Sequence, residues 1–124
     1  MKNVNPVGWF DIYVADLSRA KSFYESVFDK KLIDLPSEWG KQSMFPGDEG
    51  GANCAGALVE KPESAGSGGG TLVYFVSEDC TTEQEKVAAA GGKVLQPKMS
   101  IGEFGFIAIL MDTEGNTIGL HSRS

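Results

Sequence analysis

Two side chains stand out for their chemistry: His121, the one histidine in the chain, and Asp11, a carboxylate in an otherwise apolar first strand. Imidazole titrates near neutrality and can take or give a proton. A carboxylate among apolar neighbours is costly unless water or a partner relieves it. Asp11 therefore faces a ligand, makes a structural hydrogen bond, or lies on an exposed strand face. His121 has a plainer alternative role, as a polar residue near a frayed C-terminal end. Cys54 and Cys80 lie 26 positions apart, without the C-x-x-C spacing of zinc or redox motifs. No G-x-S-x-G or P-loop pattern occurs, and Gly66-Ser-Gly-Gly-Gly70 lacks the lysine and following helix of a phosphate cradle.

The elements that must carry these residues repeat. Val7 to Val14 is aromatic and β-branched and predicts a strand, with Phe10, Ile12 and Val14 on one face and Trp9, Asp11 and Tyr13 on the other. Asp16 is a good N-cap for a helix whose stripe is Leu17, Ala20, Phe23, Tyr24, Val27 and Phe28, ending near Phe28 or Asp29. Short strands are expected over Lys31–Leu35 and Gln42–Phe45, each stopped by proline, and over Cys54–Glu60. The glycine- and serine-rich stretch 61–70 has the composition of a flexible linker.

The order then begins again. Thr71–Val76 predicts a strand, and Thr81 with Gln84 predicts a capping box before a helix over Glu85–Ala90. Gly91-Gly92 offers a left-handed stop, and Lys93–Leu95 predicts a strand halted by Pro97. Phe104–Met111, a tight turn at Asp112–Asn116 and Thr117–Ser122 complete the pattern. The reading is one α+β domain over residues 1–124 with two βαβββ modules, the first at about 5–60 and the second at about 71–122. They form a cupped, mostly antiparallel eight-stranded sheet with helices on its convex side. Aligning the last strands gives an offset of 62 residues, which matches Trp9 with Thr71. A module that cannot bury its own sheet face stacks on its copy or on a partner chain's.

Composition narrows the functions. The net charge of −6 argues against nucleic acid, and no apolar run is long enough to span a membrane. The same charge keeps the protein soluble and attracts cationic ligands. An N-terminus without an apolar stretch and two cysteines outside any framework predict a cytoplasmic protein with reduced thiols.

The run from Trp9 to Tyr24, Trp-Phe-Asp-Ile-Tyr-Val-Ala-Asp-Leu-Ser-Arg-Ala-Lys-Ser-Phe-Tyr, resembles the opening module of the vicinal oxygen chelate superfamily. The run from Met111 to Leu120 resembles the turn before that family's last strand. The superfamily includes glyoxalases, extradiol dioxygenases, fosfomycin-resistance enzymes and bleomycin-binding proteins, so the fold it implies hosts many chemistries. The resemblance implies four metal positions, in the first, fourth, fifth and eighth strands, filled in the family's enzymes by histidine, glutamine or glutamate. Here they fall on Trp9, Ala57, Thr71 and Gly119, so no metal and no cofactor is expected.

The same resemblance aims Asp11 and His121 into the cup as a candidate acid–base pair. It makes Trp9, Asp11, Tyr13, Ala57, Thr71, Val73, Gly119 and His121 the candidate ligand-binding set. Trp39, in a polar loop, is expected at a rim or dimer contact. Two functions follow. The first is a metal-free protein that binds a small organic ligand, flat or cationic, between aromatic walls. The second is a lyase or isomerase of the glyoxalase type working through Asp11 and His121, with an atypical metal or none. Exposed strand edges predict a homodimer.

Overall fold

Asp16 and Asp79 start the two helices and set the phase of the two repeats. Both are extended N-cap residues. The Asp16 carboxylate accepts from the amide of Arg19 at 3.1 Å, and that of Asp79 from the amide of Thr81 at 2.9 Å. Each satisfies an amide that the first turn of a helix leaves free. The computed structural model describes residues 9–36, 38, 40–48, 51, 53–66 and 71–124. Trp39, the start of the first strand and residues 67–70 of the linker lie outside them.

The first repeat consists of β1 (Phe10–Val14), α1 (Leu17–Phe28), β2 (Ile33–Asp34), β3 (Gln42–Met44) and β4 (Gly56–Glu60). The second consists of β5 (Tyr74–Val76), α2 (Cys80–Gln84), β6 (Lys93–Ser100), β7 (Phe106–Met111) and β8 (Thr117–Ser122). The strands form two four-stranded sheets, in the orders β1-β4-β3-β2 and β5-β8-β7-β6. β1 pairs with β4, and β5 with β8, in parallel; the other pairings are antiparallel. The class is therefore α+β with the expected repeat. The eight strands do not share one hydrogen-bonded ladder, which corrects the expectation of a single eight-stranded sheet.

Several boundaries also differ from expectation. Pro97 does not halt its strand: β6 runs through it to Ser100. β6 is an edge strand, and its register with β7 shifts between Gln96 and Met99. A proline without an N–H is tolerated at such a place. The second helix starts five residues earlier than expected, behind Asp79, and residues 85–90 continue as turns. The capping box does not form, because the Gln84 side chain accepts from the amide of Lys98 at 2.6 Å. Gly91, at φ 98°, supplies the left-handed stop that the sequence indicates.

One hydrophobic core runs through both repeats. α1 contributes Ala20, Phe23, Tyr24 and Val27, which pack with Ile12, Val14 and Leu58 of the first sheet and with Ala108, Leu110, Ile118 and Leu120 of the second. Phe10, Tyr24, Phe28, Phe45 and Phe75 form a continuous aromatic cluster whose touching rings lie 4.6 to 6.0 Å apart. Such pairs add roughly 0.5–1.5 kcal/mol each beyond their burial.

The turn after β7 fastens the second repeat to the first. The buried Glu114 carboxylate accepts from the amides of Ala15 and Asp16, both at 2.9 Å, and from the Arg19 guanidinium at 2.7 and 2.8 Å. Asp112 accepts the buried Tyr24 hydroxyl at 2.7 Å, and Asn116 donates to the carbonyl of Tyr13 at 2.8 Å. Burial pushes the Glu114 carboxyl upward in pKa, but the hydrogen bonds from Arg19, Asp16, Thr113 and Ala15 prevail and hold it at about 2. This displaced group holds the junction between β1 and α1, and Asp16 caps the helix itself.

Candidate functional site

Alternation along β1 separates the core from an open face. Phe10, Ile12 and Val14 turn inward, while Trp9, Asp11 and Tyr13 are exposed. The indole N–H of Trp9 donates to Asp11 Oδ1 at 3.0 Å, which gives the carboxylate a partner on its own strand. The Tyr13 ring carries the ammonium of Lys61 above it, 4.9 Å from the ring centroid. Ala57 stands opposite Asp11 on β4 and is fully buried.

On the second sheet the open face carries Tyr74 and Val76 of β5 and His121 of β8. His121 Nε2 lies 2.7 Å from the carbonyl oxygen of Phe104, which also accepts from Arg123 at 3.2 Å. A carbonyl only accepts, so Nε2 bears a proton and donates it to this bond. No hydrogen bond or ion pair joins Asp11 to His121; each is held by a neighbour in its own repeat.

A cleft of about 1040 Å³ opens between the beginnings of β1 and β5 and the connection from β3 to β4. Its aromatic lining is Trp9, Phe10, Phe28, Phe45, Tyr74 and Phe75, and Lys30 and Asp48 add charge. Of the residues expected at the site, Trp9, Thr71 and Val73 line this cleft, whereas Asp11, Tyr13, Ala57, Gly119 and His121 do not. The sequence puts Phe28 on the apolar stripe of the first helix, and Phe45 and Phe75 only within strands. All three pack against the core, and all three also line the cleft. Tyr74 was legible in principle, because counting back from the N-cap Asp79 places it on the open side.

That count also revises the register. Asp11 pairs with Ala57 and Tyr74 with Gly119, so the first strands stand 63 residues apart while the last stand 62 apart. The two N-caps, Asp16 and Asp79, repeat the 63-residue spacing. The counterpart of Trp9 is therefore Leu72, not Thr71. The four positions that would hold a divalent ion carry an indole whose N–H is spent on Asp11, a methyl group, an isobutyl group and no side chain at all. These residues do not fit a metal ion. Among the described residues, no three His, Cys, Asp or Glu side chains gather as metal ligands.

Comparison with known proteins accords with this architecture. Residues 6–120 match the model of the Glyoxalase/Bleomycin resistance protein/Dioxygenase superfamily. The putative glyoxylase CFP32 of Mycobacterium bovis is 30% identical over 114 residues, which are 90% of this chain and 43% of that protein. The chain thus spans less than half the length of that curated relative. Among solved structures, TnmS3, an antibiotic binding protein from Streptomyces sp. CB03234, is 28% identical with a TM-score of 0.71, and both chains are covered completely. A glyoxalase I variant from Zea mays is 22% identical with a TM-score of 0.70, covering 95% of this chain and 46% of its own; it shares the fold.

Proposed function

The chain belongs to the glyoxalase/bleomycin resistance protein/dioxygenase superfamily, and from that premise we propose that it binds a flat organic ligand, cationic or aromatic, without a metal. One observation carries the reading. The four metal positions offer no usable donor, while an aromatic cleft of about 1040 Å³ opens beside them. Clefts of this size, mostly apolar with a few polar groups, suit small organic molecules. Trp9 supplies a stacking surface and, through Asp11, sits next to a negative charge. A net charge of −6 draws cations toward the protein. The antibiotic binding protein at 28% identity is a relative with a binding role by name.

Ligand contact extends in this reading from Trp9, Thr71 and Val73 in the cleft to Asp11, Tyr13 and His121 on the adjoining sheet faces, while Ala57 and Gly119 are buried and act by leaving room for their neighbours. A second copy of the chain covers the remaining exposed residues, Leu95, Met99 and Phe104 among them, and makes the protein a homodimer. Free Cys54 and Cys80 suit the reducing cytoplasm. None of the described helices is long and apolar enough to cross a membrane.

Thermal-shift and calorimetric titration with planar aromatic cations such as proflavine, beside neutral aromatics of similar size, tests the proposal. Binding raises the melting temperature in proportion to ligand excess over Kd. Asp11→Asn should weaken the cations selectively and leave folding intact. Absence of any shift across the panel refutes the reading. The enzymatic alternative has the names of the glyoxalase relatives in its favour. Turnover of a hemithioacetal with added nickel, zinc or manganese, abolished by His121→Ala, would put it in place of the binding reading.

A further inference from the structure

We infer that Tyr74 is the ligand-positioning residue of the second repeat, and that position 119 is glycine so that the Tyr74 ring can lie there. The inference rests on the aromatic reading of the cleft and adds a residue pair to it. Tyr74 and Gly119 are direct partners in the β5–β8 register. A Cβ built on Gly119 would stand 2.6 Å from Tyr74 Cε1, closer than real side chains approach, and 3.1 Å from Cγ, a tight contact. The ring therefore lies against bare backbone. Gly119 is not among the glycines with positive φ, so the backbone conformation does not require it. Space for the ring is the remaining reason for having no side chain.

This pairing also explains what fills the place where a metal ligand would stand in the last strand. By the 63-residue spacing, Tyr74 is the counterpart of Asp11, and each stands across from a residue with little or no side chain, Gly119 or Ala57. The side chains of the first strands of each repeat have the room that ligands on the last strands would need. Tyr74 remains 45% exposed while lining the cleft, so one aromatic wall comes from each repeat, Trp9 and Tyr74. An aromatic ring covering a cross-strand glycine also stabilises a sheet by itself. A purely structural pair would change stability without touching the ligand, and the experiment separates the two.

The full chain is labelled with 3-fluorotyrosine, and the Tyr74 signal among the three tyrosines is assigned with Tyr74→Phe. Proflavine is titrated by fluorescence and by fluorine NMR, and melting temperatures are recorded in parallel. Gly119→Ala should move the Tyr74 signal and raise the proflavine Kd about tenfold, the weight of a good aromatic contact. Tyr74→Ala should match that loss, the double variant should add nothing further, and Tyr74→Phe should bind like the parent. Should Gly119→Ala fail to fold, the Tyr74→Ala and Tyr74→Phe pair decides by the same criterion. A Tyr74 signal unmoved by Gly119→Ala overturns the ring-on-glycine arrangement. A parent protein that binds proflavine with no change at Tyr74 overturns the positioning role and leaves the cleft reading standing. A parent that binds no proflavine refutes the cleft reading, and the positioning role falls with it.

Discussion

Glu114→Gln should destabilise the protein by about 2 kcal/mol at pH 7, and most of that loss should disappear in acid. In the parent, the buried carboxylate accepts two amides of the β1–α1 junction and two guanidinium N–H groups of Arg19. Thr113 adds its hydroxyl at 2.8 Å. A glutamine keeps one acceptor for the amides but turns an NH2 toward donors and loses the charge. Holding the carboxyl at about 2 against an ordinary 4.5 corresponds to at most about 3.5 kcal/mol, at about 1.4 kcal/mol per unit. The Arg19 side chain is half in solvent, so its share is screened and about 2 kcal/mol is the better figure. Because the folded pKa lies below the unfolded one, this stability is fully present above about pH 5 and is lost as pH falls from 4.5 through 2. Urea denaturation followed by tryptophan fluorescence at pH 7 and pH 3 measures it. Equal stability of parent and variant at pH 7, or a gap that does not narrow in acid, refutes the account of the clamp.

Tyr24→Phe removes the buried hydroxyl that donates to Asp112. It should cost about 1–3 kcal/mol in the same denaturation assay, since the carboxylate keeps its burial and loses a donor. Gly56→Ala would bring a methyl group within 2.6 Å of the Phe10 ring and should cost about 1–3 kcal/mol by overpacking, read as a lower melting temperature. Calorimetric titration of chelator-treated protein with zinc or nickel should give no tight binding; one tightly bound ion per chain would contradict the reading of Trp9, Ala57, Leu72 and Gly119. Sedimentation at micromolar concentration should return twice the chain mass of 13.2 kDa, and a monomer would remove the proposed second copy from the open face.

The sequence was most legible where one local rule acts alone. α1 begins after Asp16 and ends at Phe28 as its stripe predicts, and β8 has its expected bounds, because capping and alternation both operate within a few residues. β6 and α2 were misplaced for tertiary reasons. Pro97 is harmless only because the sheet ends at β6, and Gln84 leaves its capping role only because β6 brings the amide of Lys98 to it. Neither fact is local. The site was half legible for the same reason. Trp9 announces itself by standing where a metal ligand would be, whereas Phe28, Phe45 and Phe75 carry ordinary core signatures and acquire a second role where the core reaches the surface.

The one-residue difference between the spacings, 63 at the front of each repeat and 62 at its end, bears on which side chains meet. In a strand, a slip of one position exchanges the two faces. At 62, Thr71 and Val73 would share the phase of Trp9 and Asp11; at 63, Leu72 and Tyr74 do. The pairing of Tyr74 with Gly119 and the burial of Phe75 in the aromatic cluster both select 63. A ring is thereby placed on the open side of the second repeat at the level where the first repeat has Asp11. The two repeats present unlike chemistry at equivalent places, a carboxylate with an indole from one and a phenol from the other. On the binding function proposed above, a ligand with a charged end and an aromatic body would match these places better than a symmetric ion.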